Sequence, residues 1–227
     1  MFLKRSSTQE MMDDFSINDE RIKDAIGELH TINRFLGGIN VTKKGIEYFL
    51  YDTASPVKVL DIGGGGSDIL CDLDDEFNLN ISSLDLNKYS CHYQKSLHPE
   101  HKVLCADALN LPVKERTFDI IHVSLFLHHF SEEEIIRMLK YFLMISRKGI
   151  IINDLRRNIL AYTGIRFLAA LFSRSIFVKN DGPLSVWRAF TRRELVKLLS
   201  RAGINNYTIN RMWAFRFLVV IPGDQNE

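Results

Sequence analysis

The chain has few of the features that mark specialised classes of protein. Its 227 residues include only three cysteines, Cys71, Cys91 and Cys105, which lie 20 and 14 positions apart. The three cysteines lie too far apart to form a ligand pair with one another, so we expect no metal site and no disulfide framework. Free thiols and the lack of a signal peptide predict a reducing, cytoplasmic compartment.

Excess charge of one sign and a long apolar run are also missing. The 29 Lys and Arg residues nearly balance the 28 Asp and Glu residues, which argues against a nucleic-acid partner because such a partner requires a basic face. The apolar stretch from Asn158 to Phe172 is too short to span a bilayer and is interrupted by Arg166. Length and composition instead predict one α/β domain with an N-terminal extension.

The most informative segment that is present runs from residue 57 to 68. A short apolar stretch, typical of a buried strand, ends in Asp61 and enters four consecutive glycines. Glycines at such a turn allow positive φ and close approach of a ligand to the backbone. The sixth place of an NAD-type Gly-x-Gly-x-x-Gly fingerprint, counted from Gly63, is Asp68, so the turn is not that of a dinucleotide-binding protein.

Further carboxylates follow the ends of later predicted strands. Asp85 ends a strand at residues 80–85, 24 positions after Asp61, and Asp107 follows a third strand. An acid on the tip of the neighbouring strand is placed to accept both hydroxyls of a ribose. Two more strands are predicted at 118–123 and 149–153. The carboxyl ends of these strands therefore predict a nucleoside-binding edge of the sheet.

The order and spacing of these segments resemble the class I methyltransferases that use S-adenosylmethionine, specifically the small-molecule branch that includes quinone-biosynthesis enzymes. Four motifs carry the resemblance: Asp61-x-Gly63-x-Gly65, then Asp85, then Asp107-Ala108 with Leu111-Pro112, and finally Phe118-Asp119 through Leu127-His128-His129-Phe130. The resemblance covers roughly residues 55 to 221. One departure is Ser67, where the family often has a third glycine, and a serine there can cap the following helix.

The resemblance implies the fold, the cofactor and its contacts. The expected fold is a doubly wound, Rossmann-like sheet of seven strands with the last strand antiparallel, under an N-terminal helical lid. S-adenosylmethionine is the expected cofactor, and no metal is required because the methyl group is already activated. The residues expected to bind the cofactor are Asp61, Gly63, Gly65, Asp85, Leu86, Asp107, Ala108 and Ser124.

Candidate catalytic residues lie past the fourth and fifth strands. His128 or His129 is placed to take a proton from a phenol or enol, although one of the pair can equally be structural. Asp154, with Arg156, is a candidate for orienting a substrate hydroxyl, or else forms an ion pair at a helix start. His122, inside the fourth strand, is expected to be a core histidine.

The regions on either side of the motifs predict a lid, an insertion and a closing strand pair. Residues 1–55 form a helical cap, with helices near 18–30 and 42–50, in which Glu10 to Asp14 and Ile32 to Arg34 either line the pocket or face solvent. The main domain spans 56–221, and residues 222–227 form a tail. A capping signal at Thr191 and Glu194 predicts a helix at 192–202. Strands are expected at 204–209 and 213–221.

An apolar insertion at 155–190 is the most individual part of the chain. Its helix from Asn158 to Phe172 is either a wall for an apolar substrate, with Phe167 and Phe172 in the pocket, or a surface that touches a membrane, or an ordinary buried helix. The next residues, Asp181 to Pro183, predict a turn.

Taken with the motifs, the insertion favours methyl transfer to a hydroxyl, or a ring carbon, of a small apolar or aromatic metabolite such as a phenol, quinol or polyketide. The alternatives are methylation of a protein or nucleic acid, and a cofactor-binding protein without catalysis.

Overall fold

The computed structural model describes residues 3–14, 16–17, 19–50, 55–65 and 68–223. Its centre is one sheet, whose strands in chain order are β1 Val57–Ile62, β2 Leu79–Asp85, β3 Lys102–Cys105, β4 Phe118–Ser124, β5 Ser146–Leu155, β6 Thr208–Met212 and β7 Arg216–Pro222. The strands lie in the order β3-β2-β1-β4-β5-β7-β6. β7 is antiparallel to β5 and β6, and the other neighbours are parallel. The predicted fold is confirmed.

Helices cover both faces of this sheet. In chain order they are α1 Glu20–Phe35, α2 Gly38–Phe49, α3 Asp68–Phe77, α4 Lys88–Leu97, α5 Glu132–Ile145, α6 Ile159–Phe172, α7 Ile176–Arg188 and α8 Arg192–Arg201. The apolar sides of α2 and α3 pack on one face, and those of α5 and α8 on the other. This double cover explains why the central strands β1 and β4 are nearly continuous apolar runs rather than alternating ones.

Local sequence signals set several helix boundaries. The Thr191 side chain accepts the backbone N–H of Glu194, and the Glu194 carboxylate accepts the backbone N–H of Thr191 at 2.7 Å, so the predicted capping box begins α8. Ser131 and Glu134 begin α5 in the same way. Because each box satisfies backbone donors at a helix start, these boundaries follow from a few adjacent residues.

The turn predicted at Asp181 to Pro183 is wrong, because these residues lie inside α7. The Asp181 carboxylate accepts the backbone N–H groups of Met11 at 2.8 Å and Met12 at 3.0 Å. These contacts join α7 to a segment 170 positions earlier in the chain, and α7 continues through Pro183.

The closing strands also begin later than predicted. β6 starts at Thr208 rather than residue 204, and β7 at Arg216 rather than residue 213. Ala214 and Phe215 adopt positive φ of 54° and 57° in the connecting turn, which takes them out of β7. The predicted helix start at Asn18 and the capping role of Ser67 fall on residues outside those described.

No helix in the described part of the chain is both long and apolar enough to cross a membrane. Residues 3–14, hereafter the N-terminal strap, run across the carboxyl ends of the strands. Arg5 Nη2 donates to the carbonyl oxygens of His128 at 2.9 Å and Phe130 at 3.1 Å. The strap therefore contributes to the same edge of the sheet as the motifs.

Candidate active site

The glycine turn after β1 needs its glycines for two different reasons. Gly63 and Gly65 have φ of +67° and +53°. A Cβ on Gly63 would lie 2.2 Å from Cδ2 of Phe126, whereas a Cβ on Gly65 would meet no atom within 4 Å. Gly63 therefore permits close packing of the protein on itself, and Gly65 leaves open space beside the backbone.

The carboxylates of Asp85 and Asp107 lie at the ends of β2 and β3. Asp85 accepts the backbone N–H of Gly65 at 3.1 Å and of Asn87 at 2.8 Å. Burial raises the pKa of Asp85, although these hydrogen bonds oppose the shift. Asp107 accepts the backbone N–H of Leu109 at 2.9 Å. Both acids thus hold the loops that follow their strands.

Asp61 is joined to a buried histidine. His122 Nδ1 lies 2.6 Å from Asp61 Oδ1, and its Nε2 lies 2.9 Å from Thr42 Oγ1. His122 is only 1% exposed, as expected for a core histidine. Because a carboxylate only accepts, Nδ1 is the donor of the first bond. One oxygen of Asp61 is therefore directed to the protein interior.

A cavity of about 830 Å³ opens beside these residues. Its wall includes every residue expected to bind the cofactor: Asp61, Gly63, Gly65, Asp85, Leu86, Asp107, Ala108 and Ser124. The hydroxyl of Ser124 is buried and has no hydrogen-bond partner among the described residues. A buried hydroxyl in this state favours a ligand with polar groups at this end of the cavity.

The first candidate histidine lies in a short 3-10 helix, Leu127–His129, just after β4. His128 Nδ1 lies 2.7 Å from Asp154 Oδ1, and both side chains are buried. Burial alone would raise the pKa of Asp154, but the charge and hydrogen bond of His128 outweigh it and lower the pKa. Asp154 is absent from the cavity wall. It therefore orients His128 from behind, so that Nε2 is directed toward the cavity.

The second histidine is oriented by the N-terminal strap. His129 Nδ1 lies 2.7 Å from Asp13 Oδ1. This hydrogen bond, with the charges of His129 and Arg188, outweighs the effect of burial and lowers the pKa of Asp13 to about 2. Arg188 Nη1 also donates to Asp13 Oδ2 at 2.8 Å. Each imidazole thus has its own carboxylate on Nδ1.

Glu10 of the strap lies between the two Nε2 atoms. Its Oε1 is 3.6 Å from His128 Nε2, and its Oε2 is 3.9 Å from His129 Nε2. Burial is the main reason that the pKa of Glu10 rises to about 7. Glu10 Oε1 and His128 Nε2 are both buried, and neither has a hydrogen-bond partner in the described residues.

Some of the residues at this site were predicted from sequence, and others were not. Glu10 and Asn33 come from the two segments proposed to line the pocket, and both do so, whereas Arg34 is exposed and lies outside the wall. Arg188 and Asp181, which fasten the strap, were not anticipated. The only signal for Asp181 was interpreted as a turn, and Arg188 lies in no recognisable motif.

Part of the cavity wall comes from α6, but not through the residues expected. Ile165 and Leu168 line the cavity, whereas Phe167 and Phe172 lie outside its wall and are 64% and 76% exposed. Residues 165 and 167 differ by about 200° around a helix axis, so they cannot share a face.

The raised pKa of Glu10 can be tested by measuring how the free energy of unfolding depends on pH. A raised carboxyl pKa means that the folded state keeps a proton that the unfolded state releases near pH 4.5, so stability falls as pH rises from about 4.5 to 7. Glu10→Gln, which resembles the protonated form, should match the wild type at pH 4 and be more stable by on the order of 3 kcal/mol at pH 8.

Urea unfolding at both pH values measures this difference. The control is Glu20→Gln, which removes the same charge from an exposed acid of α1. A pH-independent difference for Glu10→Gln would contradict the raised pKa.

Comparisons with known proteins support a methyltransferase site in this cavity. A family model described as a methyltransferase domain matches residues 59–149, the segment that runs from β1 into β5. No curated protein matches the chain in sequence. Residues 59–149 thus match a methyltransferase domain, as the motifs predicted, and the match supports S-adenosylmethionine as the cofactor.

Solved structures share the fold at low sequence identity. Human N-acetylserotonin methyltransferase, in complex with S-adenosylmethionine, has a TM-score of 0.67 at 13% identity, covering 96% of this chain and 60% of that chain. The plantazolicin methyltransferase BpumL, bound to a desmethylplantazolicin analogue and S-adenosylhomocysteine, scores 0.66 at 16% identity, covering 92% and 95%. A methyltransferase from Aquifex aeolicus scores 0.57 at 18% identity, covering 79% and 88%.

Proposed function

We propose that the enzyme methylates a hydroxyl group of a small apolar or aromatic acceptor, such as a phenol, quinol or polyketide. The observation that carries the proposal is the pair of buried atoms Glu10 Oε1 and His128 Nε2, which lie 3.6 Å apart on the cavity wall and have no hydrogen-bond partner among the described residues. An acceptor hydroxyl between them would donate to His128 Nε2 and satisfy this otherwise unpaired nitrogen.

The residues at the other end of the cavity fit the cofactor. The open space at Gly65 and the unpartnered hydroxyl of Ser124 leave room and a polar contact, and Asp85 is placed for the ribose. S-adenosylmethionine, when bound, supplies a methyl group activated by its sulfonium charge. The main contribution of the protein is then to bind and orient the two reactants at the two ends of one cavity. Such positioning lowers the activation free energy by roughly 7 to 11 kcal/mol.

The proton of the acceptor hydroxyl would pass to His128 Nε2. Asp154, bonded to Nδ1 at 2.7 Å, holds the imidazole with its proton on Nδ1 and stabilises the positive charge that develops. Glu10, His128 and His129 also have the spacing of a metal site, with ligand atoms within 4.8 Å of one another. However, Arg188 Nε lies 3.7 Å from Glu10 Oε1 and already places a positive charge there, which favours a neutral hydroxyl over a cation.

The apolar wall predicts the acceptor class. Ile165 and Leu168 of α6, with Ile22, Ile26 and Leu29 of α1, line the cavity beyond the histidines. Replacing Ile165 by serine removes apolar contact on the acceptor side, so KM for an apolar phenol should rise roughly tenfold or more. The affinity for S-adenosylhomocysteine should be unchanged.

The experiment measures transfer of labelled methyl from S-adenosylmethionine to a panel of phenols, quinols and polyketides, with peptides and nucleic acids as competing classes. Phe167→Ser is the matched control, because it makes a similar change two residues away outside the cavity and should leave KM unaltered for a water-soluble phenol assayed without lipid. Methylation of only peptides or nucleic acids, or tight cofactor binding without turnover on any acceptor, would overturn the proposal.

A further inference from the structure

The outer face of α6 exposes large apolar side chains in a continuous stripe. Leu160, Phe167 and Leu171, at spacings of seven and four, are 66%, 64% and 59% exposed. Leu168 and Phe172 lie beside them and are 41% and 76% exposed. Residues at these helical spacings share one face, so the exposed side chains form a patch rather than isolated surface residues.

The patch adjoins the mouth of the cavity. Leu160 and Leu168 both line the cavity and are exposed, as is Trp213, which is 76% exposed. Side chains that have one surface in a cavity and another in solvent mark its opening. An apolar acceptor that enters the cavity would therefore cross the α6 patch.

Positive charge predominates in the segment that carries this patch. Residues 155–180 contain five Lys or Arg residues and no Asp or Glu, in a chain whose net charge is only +1. Arg157 is bound to Glu194 at 2.6 Å, and Arg156 lies over the ring of Phe215. The remaining three, Arg166, Arg174 and Lys179, are exposed.

One acidic side chain lies at the end of the patch. Glu28 of α1 is the acid in contact with the α6–α7 junction, where it accepts the backbone N–H groups of Arg174 at 2.9 Å and Ser175 at 3.1 Å. Its carboxylate is thereby held at the junction, where it also interacts with the charge of Lys179.

We propose that the α6 patch, together with Arg166, Arg174 and Lys179, binds the surface of an anionic lipid membrane and takes the acceptor from it. A helix with an apolar face and flanking cations lies in the interface of a bilayer, where anionic headgroups attract the cations. Because no helix here is long enough to span a bilayer within the described residues, the contact is peripheral. The proposal extends the proposed function by naming the place from which the acceptor enters.

Sedimentation of the whole protein with lipid vesicles tests this without any methyl transfer, so its outcome is independent of the acceptor assay. We expect binding to vesicles of phosphatidylcholine mixed with phosphatidylglycerol and much weaker binding to phosphatidylcholine alone. Phe167→Ser combined with Phe172→Ser should weaken binding at least roughly tenfold. Arg166→Gln combined with Arg174→Gln should weaken it roughly 30-fold on the anionic vesicles.

The matched control replaces Leu97 and Leu104 by serine. These residues are 46% and 41% exposed at the opposite end of the sheet, at α4 and β3, and should have no effect on vesicle binding. Unchanged affinity for S-adenosylhomocysteine confirms that each variant is folded. Failure of the wild type to sediment with anionic vesicles, equal loss in the control, or a stable dimer that covers the α6 patch would overturn the proposal.

Discussion

Replacing His128 by alanine should lower turnover by roughly 10²- to 10⁴-fold while leaving the affinity for S-adenosylhomocysteine unchanged. We expect this loss of turnover because His128 Nε2 is buried on the cavity wall, and its Nδ1 is held by Asp154 at 2.7 Å. Calorimetry measures the affinity, and single-turnover kinetics with the best acceptor measure the chemical step.

The neighbouring histidine is the control for this substitution. His129 lies 3.9 Å from Glu10 and is bound to Asp13, so His129→Ala should perturb the strap and cost less in turnover than His128→Ala. Asp154→Asn should retain cofactor affinity and lose activity, because the amide no longer favours the imidazole with its proton on Nδ1. If all three variants stay within a few fold of the wild type, no general base operates, and proximity alone accounts for the rate.

Gly65→Val should abolish measurable binding of S-adenosylhomocysteine, a loss of roughly 100-fold or more in affinity. At φ of +53°, a β-branched residue is strained, and its side chain would extend into the open space on the cavity wall. Equilibrium dialysis or calorimetry measures the affinity, and thermal unfolding shows whether the protein remains folded.

Gly203→Val separates the two effects of Gly65→Val, which are backbone strain at positive φ and a side chain that extends into the cavity. Gly203 follows α8 with φ of +78°, and a Cβ there also meets no atom within 4 Å, but the residue is outside the cavity wall. Both variants should lose stability by about 1 to 2 kcal/mol per strained residue. Only Gly65→Val should lose cofactor binding. Equal binding in the two variants would show that the turn at Gly65 is structural.

Much of the framework was predictable from sequence because its signals are local. The apolar run of β1, the glycines that follow it and the capping box at Thr191 each depend on a few adjacent residues, and each fixes one boundary. Acids at the ends of β2 and β3 could be placed on one edge of the sheet because parallel strands present their carboxyl ends together. These rules need no knowledge of distant contacts.

Other features depended on contacts between residues far apart in the chain. Glu10 and His128 meet across 118 positions, and Met11 meets Asp181 across 170. The second contact joins the N-terminal strap to α7, the helix that contains residues 181–183, although their own sequence is typical of a turn. Cys71 likewise meets His98 and His101 only in the fold, in an arrangement that could hold a metal ion, whereas the sequence led us to expect no metal site.

By itself, the sequence determined the class of fold, the order of the motifs and the edge of the sheet at which the cofactor is expected. The signals for these features are the hydrophobic period of strands and helices, glycines at positive φ and helix capping boxes, and each acts over a few adjacent residues. The tertiary structure decided which face of α6 lines the cavity, which carboxylate orients each imidazole, and that the N-terminal strap supplies Glu10. Those outcomes depend on burial and on the pairing of charges between distant segments, where the free energy of a contact is set by surroundings that neither residue encodes alone.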